Sequence, residues 1–165
     1  MMNLQSLMVA ALLDLYVGIS SELKRRGITR STNNPVADLS EFLCSRGLGL
    51  QLTSKSTKGY DATDRQGLRY EIKARRLTAD SPSRELSAIR AFESNSFDLL
   101  AGVLFRENFT LFKACLIPRD VVAQHACFVK HTNALKFLLR DELWSVPGVV
   151  DITHELQRAE AAMRG

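Results

Sequence analysis

Asp61, Glu71 and Lys73 are the residues whose types and spacing in this chain could do chemistry. Leu68, Tyr70, Ile72 and Ala74 alternate with Arg69, Glu71, Lys73 and Arg75, the period of a β-strand with one apolar and one polar face. Just before this strand, Arg65-Gln66-Gly67 suits a three-residue hairpin loop in which Gly67 takes the left-handed position of a G1 bulge. Asp64 then closes the loop against Leu68. Counting back sets Asp61 opposite Glu71 on the same face. Two carboxylates meeting across a strand pair repel each other unless a divalent cation accepts their oxygens. Lys73 lies one pleat further along, where it could hold a phosphate oxygen or orient an attacking water. An acid pair with an amine beside it, flanked by arginines, suits hydrolysis of a phosphodiester.

The surrounding elements must hold these residues in place. Asn34 can cap a helix with Pro35 at its first position, running to about Arg46 and ending at Gly47 and Gly49. Residues 48–52 form a short apolar strand leading into the hairpin. After Ala74, Ser81-Pro82 is expected to start a helix to about Glu93, serving as a crossover before the apolar run 97–105, FDLLAGVLF. That run reads as a central strand buried on both faces. Asn108 marks a turn, residues 109–117 the next strand, and Pro118 opens a helix to about His125. Residues 127–130 and 135–139 read as two short strands around His131-Thr132-Asn133, and 141–145 as a helical turn. Asp151 caps a last amphipathic helix carrying Ile152, Leu156, Ala159 and Met163. At the start of the chain, Leu4, Leu7, Met8, Ala11, Leu12, Leu15, Ile19 and Leu23 recur at helical spacing over residues 3–26, ending at Gly27. This helix can pack across the core or pair with a second copy in a homodimer. The order of elements predicts a mixed α/β fold: a mostly antiparallel sheet with helices on both faces.

At 165 residues the chain is expected to form one domain: an N-terminal helix (1–27), a core (34–118) and a C-terminal extension (119–165). No run of about 18 apolar residues suggests a membrane span, and no basic, cleavable leader opens the sequence. Cys44, Cys115 and Cys127 are odd in number and irregularly spaced, as expected of buried thiols in a reducing cytoplasm. His125, Cys127 and His131 lack the paired Cys-x-x-Cys of a structural zinc site and read as packing residues. The net charge of +4 says little, but its distribution says more. Lys55, Lys58, Arg65, Arg69, Lys73, Arg75, Arg76, Arg84 and Arg90 fall in one window. A region that positive favours a polyanionic partner.

Asp61 followed ten residues later by Glu71-Ile72-Lys73 resembles the core motif of the PD-(D/E)XK nuclease superfamily, the restriction-endonuclease-like fold. Tyr60 stands where the family's name places proline. The resemblance covers about residues 34–118. That family carries an upstream helical glutamate, and Glu41, in Asn34-Pro35-Val36-Ala37-Asp38-Leu39-Ser40-Glu41, matches it. The resemblance implies a mixed central sheet flanked by helices and a metal-dependent endonuclease acting on DNA. Asp61, Glu71 and Lys73 would be its catalytic residues. Asp61, Glu71, the Ile72 carbonyl and Glu41 would hold Mg²⁺, with Mn²⁺ as a substitute. Lys58, Arg75, Arg76, Arg84 and Arg90 would meet the nucleic acid, Arg75 on the face of Lys73. Small cytoplasmic proteins of this kind look like restriction, repair or mobile-element defence components, alone or in larger complexes. An alternative keeps the fold without catalysis, as a DNA-binding or assembly subunit. A third reading is an unrelated α/β protein whose polar strand is incidental.

Overall fold

The computed structural model describes residues 3–54, 59–90, 92–94 and 96–165. A single turn of 3₁₀ helix at Leu4–Ser6 precedes helix α1 (Val9–Arg25), and α2 (Val36–Leu48) follows. Strands β1 (Gln51–Leu52), β2 (Ala62–Thr63), β3 (Arg69–Arg76), β4 (Ile89–Arg90), β5 (Leu99–Phe105) and β6 (Leu111–Pro118) come next. The chain ends with α3 (Arg119–His125), β7 (Cys127–Val129), β8 (Ala134–Lys136), a 3₁₀ turn at Asp141–Ser145, β9 (Val150–Asp151) and α4 (Thr153–Arg164). Six strands form one sheet in the order β1-β2-β3-β5-β6-β9, in which only the central β3–β5 pair is parallel. The fold is therefore mixed α/β. Strands β4, β8 and β7 make a second, small antiparallel sheet.

Strand β5 sits between β3 and β6, and every residue from Leu100 to Phe105 is buried. Alternate side chains feed two cores. Ala101, Val103 and Phe105 join Tyr70, Ile72, Leu39, Leu43 and Leu156 beneath α2 and α4. Leu100 and Leu104 join Leu86, Ile89, Val122, Phe137 and Leu139 beneath α3 and the small sheet. A continuous apolar run is what a strand with a core on each face requires. Gly102 pairs with Lys73 across the β3–β5 ladder, and a Cβ there would come within 3.0 Å of a Leu139 methyl.

The hairpin follows its sequence. Asp64 N–H donates to the Leu68 carbonyl (3.1 Å), and Gly67 stands at φ +84°. The Asp64 carboxylate accepts from the Gln66 and Leu68 amides (2.9 and 3.0 Å) and closes the loop.

Several expectations need correction. No helix spans 81–93 among the described residues. Leu86 and Ile89 lie in extended chain, with Leu86 N–H donating to the Phe137 carbonyl (2.9 Å) and Ile89 paired with Leu135. The β3-to-β5 crossover is thus built by loop and short strand. Gly47 lies inside α2, 3.0 Å from the Glu155 carbonyl where its Cβ would be, and Gly49 at φ +69° ends the helix. The strand β9 was not anticipated. His125, Cys127 and His131 are exposed rather than packed. Helix α1 starts later than expected and has no buried residue. Among the described residues no helix is long and apolar enough to cross a membrane.

Candidate functional site

Strand pairing brings the acids together. Ala62 faces Tyr70 and Thr63 faces Arg69, so one further step along the register sets Asp61 opposite Glu71. Asp61 is held from both sides. Its N–H donates to the Tyr70 carbonyl (2.8 Å), its carbonyl accepts from Thr53 N–H (2.9 Å) and Thr53 Oγ1 (3.0 Å), and its Oδ2 accepts from the Ile72 amide (2.7 Å). The carboxylate thus lies across the end of the β2–β3 pair instead of waving into solvent.

Glu71 and Lys73 project from β3 toward the core beneath the small sheet and form an ion pair. Glu71 is buried, although it stands on the strand face that alternation marks as polar. Leu86 and Ile89 of the 86–89 segment join Leu100, the register partner of Glu71, in the core on this side of the sheet. Burial raises the Glu71 carboxyl above the ordinary carboxylate range. The Asp61 charge raises it further, and Lys73 pulls it back.

Glu41 comes from α2, which packs on β3. The helix is placed at its N-terminus by Asn34, whose Oδ1 accepts from Val36 N–H (3.1 Å). One turn before Glu41, the buried Asp38 accepts from the amides of Arg30 and Ser31 (2.9 and 2.8 Å) and from the Ser31 hydroxyl (2.8 Å). These bonds pin the preceding loop and place the Arg30 guanidinium against Glu41 as an ion pair. Arg30 also donates to the Thr53 carbonyl (2.7 Å). Burial raises the Glu41 carboxyl as well; Arg30 opposes this, while the charges of Asp61 and Asp38 add to it. The Asp61 charge acts on both Glu41 and Glu71 and so links the two glutamates to one centre.

Glu41, Asp61, Ile72 and Lys73 line one cavity of about 270 Å³, together with Asn34, Val36, Ala37, Ala74 and Ser87. Their hard oxygens are the donor type that Mg²⁺ takes. Among the described residues, however, no three acidic, histidine or cysteine side chains gather tightly enough to hold a cation as they stand. Glu41 and Glu71 are each turned to a cation of the protein itself. The residues fit a divalent ion in chemistry and place, with those two side chains having to turn.

The proposed nucleic-acid contacts are more scattered. Arg75 donates to Ser81 Oγ (2.6 Å) beside the site, and Arg90 is exposed on β4. Arg76 stacks on Phe109, with its guanidinium carbon 4.5 Å from the ring centroid. Arg84 pairs with Asp141 (2.9 Å) and lies over Phe112. Lys58 lies outside the described residues. Arg30 and Asp38 were missed. Asp38 and Glu41 lie three apart and share a helix face, which asks for a cation nearby, and Arg30 in the preceding loop supplies it. No protein-family model matches this chain, and no curated protein matches it.

Proposed function

We propose that this chain is a divalent-metal-dependent DNA endonuclease of the PD-(D/E)XK type, serving restriction, repair or mobile-element defence in the cytoplasm. The observation that carries the reading is the meeting of Asp61, Lys73 and Glu41 at one cavity, with Glu71 ion-paired to Lys73, Glu71 buried and Glu41 half-buried, and both glutamate carboxyls raised. Buried carboxylates that crowd each other cost stability, and functional sites are where proteins tolerate that cost. Asp61, Glu71, Glu41 and the Ile72 carbonyl would hold Mg²⁺ or Mn²⁺. When bound, the ion would neutralise charge on the scissile phosphate. Lys73 would orient a water for in-line attack and meet the charge that develops on the phosphate oxygens. Asp61, fixed by its bond to the Ile72 amide, would keep its carboxylate aimed without reorganisation.

The experiment is incubation of supercoiled, linear, single-stranded and branched DNA with the protein, with and without Mg²⁺ or Mn²⁺. Metal-dependent nicking is expected, and it should be lost in Glu71→Ala and Lys73→Ala. A second reading, a DNA-binding or assembly subunit without catalysis, is favoured by the Lys73–Glu71 and Arg30–Glu41 ion pairs, which satisfy the acids without metal. Salt-sensitive DNA binding without cleavage in any metal would decide for it.

A further inference from the structure

We infer, on the nuclease reading above, that Arg30 is a positioning residue that acts as resident counter-ion to Glu41, and that a divalent ion must displace it to load the site. Glu41, Asp61 and Glu71, with Asp38 acting on Glu41 from one turn away, make the site acid-rich, and Arg30 and Lys73 are the cations paired with its two glutamates. Without metal, Glu41 and Glu71 are thus each matched by a cation of the protein itself. Arg30 is not a surface arginine that drifted inward. Its amide is tied to Asp38 (2.9 Å), its Nη1 donates to the Thr53 carbonyl (2.7 Å), and its Nη2 meets Glu41. Its side chain is 28% exposed and that of Glu41 only 14%, so the pair is weakly screened. Thr53 in turn fixes the Asp61 backbone, so the same residue anchors the arginine and one of the proposed ligands.

A divalent ion shared by Asp61 and Glu41 would face the guanidinium at close range, and like charges in a poorly screened site repel strongly. Either the guanidinium leaves Glu41 or the ion binds weakly. The Thr53 and Asp38 anchors keep Arg30 close after displacement, so its charge continues to oppose the ion. Arg30 thereby sets the metal concentration at which the site fills.

Mn²⁺ binding, read by electron paramagnetic resonance of the free ion, tests this without reference to cleavage. Arg30→Met should bind Mn²⁺ about tenfold more tightly than the wild type. Arg30→Lys, which restores the charge, should return most of the way to the wild-type value. A purely structural role predicts that Lys and Met behave alike. Circular dichroism melts check that each variant folds. Should Arg30→Met not fold, the wild type itself gives the answer: on Mg²⁺ titration the Arg30 Nε–H resonance should shift with the same midpoint as binding. Equal or weaker Mn²⁺ binding by Arg30→Met, or an Arg30 resonance unmoved while metal binds, overturns the inference and leaves the nuclease reading standing. Absence of Mn²⁺ binding by every variant and the wild type overturns the metal-dependent reading itself, and the inference with it.

Discussion

Glu71 and Glu41 are held where a proton is worth keeping. Each carboxyl is raised above the ordinary glutamate value of 4.5, first by burial and then by neighbouring acids. In a window above 4.5 the native state holds protons that the unfolded chain has released, so these two groups lower stability as pH rises through it. A divalent ion needs the ionised forms and binds against those protons. Metal affinity should therefore rise with pH through that window. Calorimetric titration there should show proton release, as heats that change with the ionisation enthalpy of the buffer. Heats independent of buffer would mean that the ion does not reach these two acids. Asp61 permits a separate test, because its Oδ2 both supports the Ile72 amide and would serve the metal. Asp61→Asn keeps an acceptor for that amide, whereas Asp61→Ala leaves a part-buried donor unpaired. Both variants should lose cleavage. Only the alanine should also lose about 1–2 kcal/mol in urea unfolding, the cost of orphaning such a donor.

At the scale of elements, local chemistry was legible where it alone decides the conformation. The 65–67 loop, the register of Asp61 against Glu71, the doubly buried β5 and the N-terminus of α2 could all be read from turn residues, alternation and caps. The stretch 81–93 could not. Ser81-Pro82 is a good helix opening, and Leu86 and Ile89 stand three apart as on a helix face. Extended chain buries those two residues equally well once β8 offers Leu135 to Ile89 and the chain just after it offers the Phe137 carbonyl to Leu86. That partner lies some 46 residues further on, beyond any local signal. The burial of Glu71 was missed with it, since the misread segment belongs to the core on the side of its register partner Leu100. Arg30 escaped because a loop residue has no face until Asp38 ties the loop down. The hairpin supplies the test of local control. Gly67 stands at φ +84° with open space where a Cβ would be, so Gly67→Ala pays only for backbone strain. It should cost about 1 kcal/mol in urea unfolding, and Gly67→Asn less, because asparagine tolerates the left-handed region. An unchanged midpoint for the alanine variant would show that the loop relaxes out of the G1 geometry.

For the whole molecule, apolar surface is distributed unevenly. Of the twelve exposed large apolar side chains among the described residues, eight lie between Leu4 and Ile19: Leu4, Met8, Val9, Leu12, Leu13, Tyr16, Val17 and Ile19. Helix α1 has no buried residue, and a groove of about 570 Å³ separates Tyr16, Ile19 and Leu23 from Phe109 and Met163 on the body. Patches of this kind mark interaction surfaces. Charge suggests a second copy in antiparallel register. Each helix ends in Lys24-Arg25-Arg26 and has no cation in its apolar first half. Parallel pairing would crowd six cations at one end. Antiparallel pairing sets the basic ends about 25 Å apart, given a rise of 1.5 Å per residue over the 17 residues of α1, while apposing the apolar halves. On the proposed nuclease reading, two such helices would also bring two sites into one particle, one for each strand of a duplex. Light scattering should therefore give a dimeric mass. Leu13→Glu with Val17→Glu should convert it to a monomer with unchanged melting of the sheet core, because neither residue touches that core. The monomer should still nick supercoiled DNA but make far fewer double-strand breaks per binding event. A wild type that is monomeric at tens of micromolar would assign the exposed face of α1 to a different partner.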